Sequence, residues 1–422
     1  KIFITLIFSF FISCSKHTST LEEDTDSQEQ AVLSLPDGFN MTVVADSLGM
    51  ARHIAVNTNG DIYVKLKKLN EDGHGILRLT DTDGDGIADT QLGFGDFVGT
   101  GIEIQGNFLY ASSDTSVHRF SLEEPLSPDA KAETIVTGFP NVRTHEAKSL
   151  ALDEEGNLFV NVGAPSNTCQ EEDRAKGSPG MDPCPLLERN GGIWKFDANK
   201  IGQTQVQDGH RFATGIRNAV ALDWNPITQK LFAVQHGRDM LKDYGFSNEQ
   251  NAKYPAEELF LIQDGDDYGW PYCYYNQDKK QKILNPEYGG DHKIIGRCEG
   301  MDQPLYGFPG HWAPNDILFY TGDQFPARYK EGAFIAFHGS WNRAPLEQAG
   351  YFVVFLPFDG DKPTGEHEVF MDGFAGAEKT PRKATHRPVG LAQGPDGSLF
   401  ISDSKQGKIW KVSYEKEEVA LR

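Results

Sequence analysis

The chain has 422 residues and a formal net charge of −21, with 44 glycines and an aromatic content of 11%. This length allows one large domain or two ordinary ones, and all-β rings often exceed the usual size of a single domain. The acidic balance argues against binding to nucleic acid or to an anionic membrane surface, because both carry negative charge.

The first residues resemble an export signal. Lys1 precedes an apolar run over residues 2–12, which is too short to span a bilayer as a helix. A small residue then precedes Cys14, as in a bacterial lipoprotein signal, although an ordinary secretory signal is an alternative. We predict a lipoprotein signal peptide over residues 1–13, lipidation of Cys14 and a flexible polar tether over residues 14–34. The mature protein would face the periplasm or the cell exterior.

From residue 35 onward the sequence repeats a strand signal. Six segments combine a Gly or polar turn with an apolar run, as expected for a tight turn followed by a strand. They begin at Gly60, Gly106, Gly156, Gln229, Gly332 and Gly397. No stretch has the periodicity of a long amphipathic helix. Repeats made of strands predict blades around an axis, so we predict an all-β fold, a six-bladed β-propeller, over residues 35–422.

Five stretches place an Arg or a His at the same point, just before a strand-turn-strand unit. They are Arg52-His53, His145-Glu146, Arg217-Asn218, His311-Trp312 and His386-Arg387. In a ring of equivalent blades these positions converge at one mouth of the central channel. Buried cations need anionic partners, and the chain does not supply enough carboxylates at matching offsets. The pattern therefore predicts an anionic ligand at the channel mouth.

Two of these stretches suggest catalytic chemistry. His145 is the candidate general base, because imidazole titrates near neutral pH; a hydrogen-bonded structural histidine is the alternative. Arg217 and Asn218 place a fixed cation beside an amide, which suits the binding of a carbonyl or a carboxylate.

A carboxylate-rich loop over residues 81–89 resembles the start of an EF-hand Ca²⁺ loop. Its candidate ligands are Asp81, Asp83, Asp85 and Asp89. No Glu stands at the twelfth position, so a hairpin tip that binds no metal is an equal alternative. The loop is not assigned to catalysis in either case.

Four of the five cysteines stand as two pairs that are close in sequence. In an oxidising compartment they predict two local disulfides, Cys169–Cys184 and Cys273–Cys298, each closing an inserted loop between blades. A four-cysteine metal site is the alternative, but such sites are less common outside the cytosol.

Several motifs together resemble a known family. They are His145 ahead of Ser149-Leu150-Ala151, Gly215-Ile216-Arg217-Asn218, Tyr268-Gly269-Trp270-Pro271, His338-Gly339-Ser340-Trp341-Asn342-Arg343, and Arg387-Pro388-Val389-Gly390 before Gly394-Pro395-Asp396-Gly397. Over residues 35–414 the chain resembles the soluble glucose/sorbosone dehydrogenases that use pyrroloquinoline quinone (PQQ). The His-Gly-Ser-Trp-Asn-Arg motif is most similar to the sorbosone dehydrogenase-like branch.

The resemblance implies a six-bladed propeller that holds PQQ, a planar tricarboxylate quinone, together with Ca²⁺ over the channel. His145 would take the proton of a sugar hydroxyl while hydride passes to the quinone, and Arg217 would polarise a quinone oxygen. The backbone carbonyls of Gly237 and Arg238 would contact Ca²⁺. The implied cofactor-binding residues are Arg52, Asn218, His311, Trp312, His338, Trp341, Arg343 and Arg387. Either tryptophan would cover the quinone plane.

Because the sequence departs from the family pattern at some positions, the resemblance does not identify which sugar is the substrate. His236 precedes Gly237 and Arg238 where glucose-oxidising members have Gly-Pro after a Gln, and His311 stands at a Thr position. The expected partners are a sugar and an electron acceptor (a quinone or a cytochrome), with membrane contact only through a lipid anchor and no nucleic acid. Rival functions are a propeller that binds glycan or protein without catalysis, and a Ca²⁺-dependent lactonase. The lactonase would need acidic metal ligands at the axis.

Overall fold

The structure, a computed structural model, describes residues 32–124 and 126–415. The predicted signal peptide, the predicted lipidation site Cys14 and most of the predicted tether lie outside these residues. In the described ranges no helix is both long enough and apolar enough to cross a membrane.

Strands of the described residues form six antiparallel blades, which confirms the predicted six-bladed propeller. In chain order, the first strands are β1 (Phe39–Ala45), in blade 6; β2 (Ala51–Val56), β3 (Ile62–Leu66), β4 (Ile76–Thr80) and β5 (Thr90–Phe94), in blade 1; and β6 (Ile102–Gln105), β7 (Phe108–Ser112), β8 (Val117–Ser121) and β9 (Glu133–Thr137), in blade 2. The middle of the chain forms β10 (Leu150–Leu152), β11 (Asn157–Val162) and β12 (Gly192–Asp197), in blade 3; β13 (Gln203–Thr204), beside blade 2; β14 (His210–Thr214), in blade 3; β15 (Ala221–Asn225), β16 (Lys230–Gln235) and β17 (Glu257–Ile262), in blade 4; β18 (Asp266–Asp267), beside blade 3; β19 (Cys273–Asn276) and β20 (Gln281–Leu284), a separate hairpin; and β21 (Tyr306–Phe308), in blade 4. The last strands are β22 (Pro314–Phe319), β23 (Gly332–Phe337) and β24 (Phe352–Asp359), in blade 5; β25 (Lys362–Pro363), beside blade 5; β26 (Glu368–Met371), in blade 5; and β27 (Pro388–Gln393), β28 (Leu399–Asp403) and β29 (Ile409–Tyr414), in blade 6.

Helices are short in this part of the chain. The two α-helices are α1 (Gln205–Asp208) and α2 (Asn248–Lys253). The 3-10 helices are Pro185–Glu188, Leu241–Tyr244, Pro286–Tyr288, Gly296–Gly300 and Ala327–Tyr329. This agrees with the lack of helical periodicity in the sequence.

The inner strands close into a ring around a central channel. Neighbouring inner strands contact one another in the order β2, β6, β10, β15, β22 and β27, and β27 in turn contacts β2. Strand β1 pairs antiparallel with β29, from Phe39 opposite Tyr414 onward, so both ends of the described chain belong to blade 6. Second strands such as β3 and β23 are buried along their whole length. Apolar runs with every residue buried fit strands packed between neighbouring blades.

Both predicted disulfides are present. Cys169 is bonded to Cys184, and Cys273 is bonded to Cys298. All four cysteines pack in one cluster with the buried side chain of Trp270. The two inserted loops therefore support each other beside blades 3 and 4, and the first of them reaches the site described below.

Acidic side chains on two inner strands link neighbouring blades. Asp223 of β15 accepts a hydrogen bond from the backbone N–H of Phe319 in blade 5, at 2.9 Å. Asp316 of β22 in turn accepts one from the backbone N–H of Leu391 in blade 6, at 2.8 Å. Asp223 and Glu103 also line a cavity of about 750 Å³ at the end of the channel where β2 ends. Carboxylates thus collect at the mouth opposite to the predicted cationic one.

These carboxyl groups should make stability fall with rising pH. Burial, and then the proximity of Asp223, raises the pKa of Glu103 to about 8, and burial raises the pKa of Asp223 to about 7. Burial also raises the pKa of Asp316 well above its ordinary value. Because each pKa is higher in the folded state, the folded protein binds more protons than the unfolded chain between about pH 4 and pH 8. We expect the free energy of unfolding to decrease as pH rises through this interval.

The Asp223→Asn variant tests this expectation, because asparagine keeps an acceptor for the blade 5 N–H but carries no charge. Relief of about 1 kcal/mol above pH 8 would raise Tm by roughly 1 °C, because the unfolding entropy of a domain of this size is about 0.8 kcal/mol per kelvin. The matched control is Asp129→Asn at an exposed carboxylate. Thermal melting between pH 5 and pH 9 should give a flatter profile for Asp223→Asn only; the same profile in both variants would contradict the account.

Candidate functional site

A cavity of about 490 Å³ lies at the mouth of the channel where the inner strands β2 and β10 begin. Its charged lining side chains are Arg52, Lys67, Glu146, Arg387 and Lys405. The imidazoles of His145, His236 and His338 and the amide of Asn218 also line it. The structure therefore brings together five of the predicted site residues, from blades 1, 3, 4, 5 and 6.

Arg52 and Arg387 are cations without an acidic partner. Arg52 donates from Nε to the hydroxyl of Thr100 at 3.2 Å. Arg387 donates from Nε and Nη2 to the carbonyl oxygens of His338 and Gly339, both at 2.8 Å. Among the described residues neither guanidinium has a carboxylate within 4.0 Å. Burial, opposed by Glu146 and reinforced by Arg387, lowers the pKa of Arg52 to about 10, so the group still carries its charge at neutral pH.

Two lysines add to the positive charge at the rim. Lys67 pairs with Glu146 at 2.7 Å and lies 3.5 Å from Asp114. Lys405 donates to two backbone carbonyl oxygens, those of Pro381 and Arg382. Glu146 is the one carboxylate in the described wall of the cavity, against four cations. The mouth is therefore positively charged within a strongly acidic protein.

His145 has the geometry of a neutral base. It has φ 58°, and its Nδ1 lies 2.6 Å from the carbonyl oxygen of Ala164. A carbonyl oxygen can only accept, so Nδ1 carries the proton and Nε2 keeps its lone pair. Burial, followed by the nearby Arg217 cation, lowers the pKa of His145 well below its ordinary value. The imidazole is therefore neutral at physiological pH.

Gly163 is a site residue that motif analysis missed. A Cβ atom at this position would lie 2.6 Å from Oδ1 of Asn218 and 2.8 Å from Cβ of His145. Only glycine thus fits between these two side chains. Asn218 in turn accepts a hydrogen bond from the Asn161 amide at 3.3 Å, which fixes its orientation.

Arg217 lies behind the cavity wall, where acceptors in the described part of the chain take up four of its five N–H groups. Its side chain is 4% exposed and forms an ion pair with Asp239 at 2.9 Å. Nε and Nη2 donate to the backbone oxygen and to Oδ1 of Asn167, at 3.3 and 3.2 Å. Nη1 makes one long contact, 3.5 Å to the carbonyl oxygen of His236. The predicted contact between Arg217 and a quinone oxygen stays a prediction.

His236 and His338 complete the polar wall. His236 Nε2 lies 2.8 Å from the carbonyl oxygen of Pro314 and 3.1 Å from Oδ1 of Asn315. Burial lowers the pKa of His236 to about 4 and that of His338 well below its ordinary value. His338 Nε2 lies 2.7 Å from the hydroxyl of Ser404. The only sequence signal for His236 was its departure from the family pattern.

Four predicted cofactor residues lie away from this cavity. His311 binds the carbonyl oxygen of Asn251 through Nε2, and Trp312 packs edge-on against Phe337. Trp341 is 59% exposed. Arg343 donates to three backbone carbonyl oxygens, those of Ala252, Gly310 and Glu347, at 2.6, 2.8 and 3.1 Å. None of the four lines the cavity, and their cofactor contacts stay predictions.

The predicted Ca²⁺-binding backbone lies between buried charges. The N–H of Gly237 donates to Glu257 at 2.8 Å, and burial raises the pKa of Glu257 to about 7. The guanidinium of Arg238 points away and forms two bonds to Glu287, at 2.6 and 2.9 Å. Hydrogen bonds to Glu257 and Glu287 thus hold the loop that carries the two carbonyl groups, and their role as metal ligands stays a prediction.

The acidic loop is separate from the cavity. Ligand atoms of Asp81, Asp83 and Asp89 lie within 4.8 Å of one another, and all three residues are exposed. Asp85 accepts instead from the backbone N–H of Ile87 at 2.8 Å. Three of the four predicted ligands are thus close enough to share an ion.

A protein-family model described as TrAA12-like matches residues 33–415. A pyrroloquinoline quinone-dependent pyranose dehydrogenase of Coprinopsis cinerea is 24% identical over 441 residues, which cover 91% of this chain and 55% of that protein. The chain thus spans about half the length of this relative. An uncharacterized protein of Borreliella burgdorferi is 27% identical over 329 residues, which cover 75% of this chain and 76% of that protein.

Solved structures of low identity share the fold. A family AA12 carbohydrate-active enzyme of Trichoderma reesei superposes with a TM-score of 0.76 at 21% identity, covering 91% of this chain and 98% of that one. A holo form of the pyranose dehydrogenase PQQ domain from Coprinopsis cinerea superposes with a TM-score of 0.72 at 20% identity, covering 92% and 98%. Similarity at these identities establishes the propeller fold.

Proposed function

Since the chain belongs to the TrAA12-like family, we propose that it is a PQQ-dependent dehydrogenase that oxidises a sugar. One observation carries the proposal. The unpaired guanidinium groups of Arg52 and Arg387 face the same cavity as the neutral imidazole of His145. A multiply charged anion would satisfy the first pair, and the third group suits removal of a proton from a bound alcohol.

The cavity fits a planar polycarboxylate. Its volume of about 490 Å³ lies within the usual range for a small-molecule site, roughly 300–1,000 Å³. Arg52 and Arg387 would bind the PQQ carboxylates through charge-assisted hydrogen bonds, and the Asn218 amide would hold its edge. The carbonyl groups of Gly237 and Arg238 would hold the accompanying Ca²⁺, since hard cations prefer oxygen ligands.

When bound, PQQ supplies an electrophilic quinone carbon that accepts hydride. His145 accepts the hydroxyl proton of the sugar at Nε2, so one proton goes to the imidazole as two electrons leave with the hydride. The bond from Nδ1 to Ala164 fixes the ring during this transfer and stabilises the imidazolium that forms. Removal of the proton makes the sugar carbon a better hydride donor.

The substrate is a pyranose, another aldose or an osone such as sorbosone, and a quinone or cytochrome accepts the electrons. We place the enzyme outside the cytoplasm on a lipid anchor at Cys14. The lactonase alternative lacks acidic ligands at this mouth, where Glu146 is the one carboxylate in the described wall. Trp341, which is 59% exposed, favours a glycan-binding propeller as the second candidate.

The decisive experiment is titration of metal-stripped protein with PQQ and Ca²⁺, followed by dye reduction with a panel of aldoses and osones. Saturable PQQ binding with sugar-dependent dye reduction is the expected result. Binding without turnover would leave the cofactor assigned and reject the sugars tested. Absence of PQQ binding would reject the proposal in favour of a glycan-binding propeller.

A further inference from the structure

One buried carboxylate, that of Asp239, collects four partners behind the cavity. Its Oδ2 lies 2.9 Å from Nη2 of Arg217 and 2.9 Å from Nη1 of Arg174. Its Oδ1 lies 3.7 Å from Nδ1 of His311 and accepts a hydrogen bond from the Asn342 amide. The Asp239 side chain is 10% exposed.

These partners come from separate parts of the chain. Arg174 belongs to the loop closed by the Cys169–Cys184 disulfide, and Arg217 precedes the inner strand of blade 4. His311 precedes the inner strand of blade 5, and Asn342 lies in the loop that follows β23. Asp239 itself follows β16. Neither of the two disulfides in the described residues joins these four segments to one another. The Asp239 carboxylate is a contact that all four share.

The Arg217 guanidinium is oriented by this carboxylate. Asp239 and Asn167 take up Nη2 and Nε, which leaves Nη1 directed at the carbonyl oxygen of His236. His236 lines the cavity, and Arg217 is the nearby cation that acts most strongly on His145. Arg217 thus lies between Asp239 and the two imidazoles of the cavity wall.

We infer that Asp239 is a positioning residue of the site, which orients Arg217 behind His145 and His236 and joins four segments into one rigid wall. It does not line the cavity, so it acts through Arg217. This role explains why His311, which the sequence places in register with the cavity residues, contacts Asp239 instead. The catalytic part of the inference rests on the proposed function, whereas the joining of the segments does not.

Removal of the charge should affect the imidazoles as well as the loops. Burial, Arg217 and His236 lower the pKa of His145, and Asp239 is the anion that opposes Arg217 there. The other charged or titratable groups in the described cavity wall are Arg52, Lys67, Glu146, His338, Arg387 and Lys405, and the Asp239→Asn change leaves them in place. Without the anion, the field of Arg217 at His145 is less compensated. The acid limb of the pH profile for kcat/KM should therefore move to lower pH.

The test compares Asp239→Asn, which keeps the hydrogen-bonding shape, with Asp239→Glu, which keeps the charge. In the full-length protein loaded with PQQ and Ca²⁺, we expect Asp239→Asn to lower kcat by about 10–100-fold, with KM and PQQ affinity within about threefold. The acid limb should shift only in Asp239→Asn. Added to Arg217→Gln, the Asp239→Asn change should cost little more, because residues that act as one unit are not additive.

Hydrogen–deuterium exchange on the cofactor-free protein gives a readout that is independent of turnover. Asp239→Asn should accelerate exchange in residues 166–174 and 340–343, while β1 and β29 stay protected as in the parent. Unchanged exchange would overturn the joining role, and additive losses or an unshifted acid limb would overturn the role through Arg217. A parent protein that binds no PQQ would contradict the proposed function. The exchange experiment would still test whether Asp239 joins the four segments, because it does not depend on PQQ.

Discussion

Replacing His145 with alanine is expected to lower kcat by about 10²–10⁴-fold, the usual contribution of a positioned general base. PQQ affinity should change by less than about threefold, because the imidazole is neutral and provides no charge for a carboxylate. The free lone pair on Nε2 and the bond from Nδ1 to Ala164 are the physical basis of this expectation. Single-turnover dye reduction at saturating sugar and PQQ titration measure the two quantities separately.

The pH profile of the parent enzyme provides a second measure of the same assignment. Burial and the Arg217 cation lower the pKa of His145, so the base stays unprotonated well below pH 6.5. The acid limb of kcat/KM should accordingly lie below pH 6.5. A matched control is His210→Ala, which removes an exposed imidazole paired with Asp264. Full turnover by His145→Ala would show that His145 is not the general base.

The sequence predicted the positions that depend on the repeat. Arg52, His145, Asn218 and Arg387 lie at or just before inner strands, and the ring of blades brings equivalent positions to one mouth. These residues converge because they have equivalent positions in the strand register of a propeller with six blades. The same register argument places the aspartates of β15 and β22 farther along the inner strands, although their role between blades was not predicted.

The register argument did not bring His311 into the cavity wall. His311 and Ala313 have φ values of 70° and 61°, so the backbone turns before β22 begins. The His311 imidazole then contacts Asp239, and Trp312 packs edge-on against Phe337. A turn of this kind cannot be predicted from the pattern of apolar residues in the sequence.

The motifs also did not identify site residues on the loops that connect strands within a blade. Asp239 and Lys405 have no repeated spacing, and their positions depend on how loops from different blades pack together. Gly163 matters because of the two side chains that approach it, which the sequence alone does not reveal. Its one available signal was a glycine directly after the buried strand β11.

Arg387→Ala is expected to weaken PQQ binding by about 10–100-fold, since a buried charge-assisted hydrogen bond contributes roughly 1.5–3 kcal/mol. The guanidinium lines the cavity, and two backbone carbonyl groups hold it in place. Because these contacts carry no full negative charge, the cation remains available to an anionic ligand. Equilibrium titration of the cofactor-free variant with PQQ at fixed Ca²⁺ gives the affinity.

Arg52→Gln separates ligand binding from stability at the same cavity. Among the described residues the Arg52 side chain has one hydrogen bond, to Thr100. Burial and the nearby Arg387 cation lower its pKa, and Glu146 opposes them. Because burial of a cation with no described carboxylate within 4.0 Å costs desolvation energy that the substitution removes, the cofactor-free variant should melt no lower than the parent. Its PQQ affinity should nevertheless fall by a factor similar to that of Arg387→Ala. Unchanged PQQ affinity in both variants would show that these two cations do not bind the cofactor, whatever their effect on Tm.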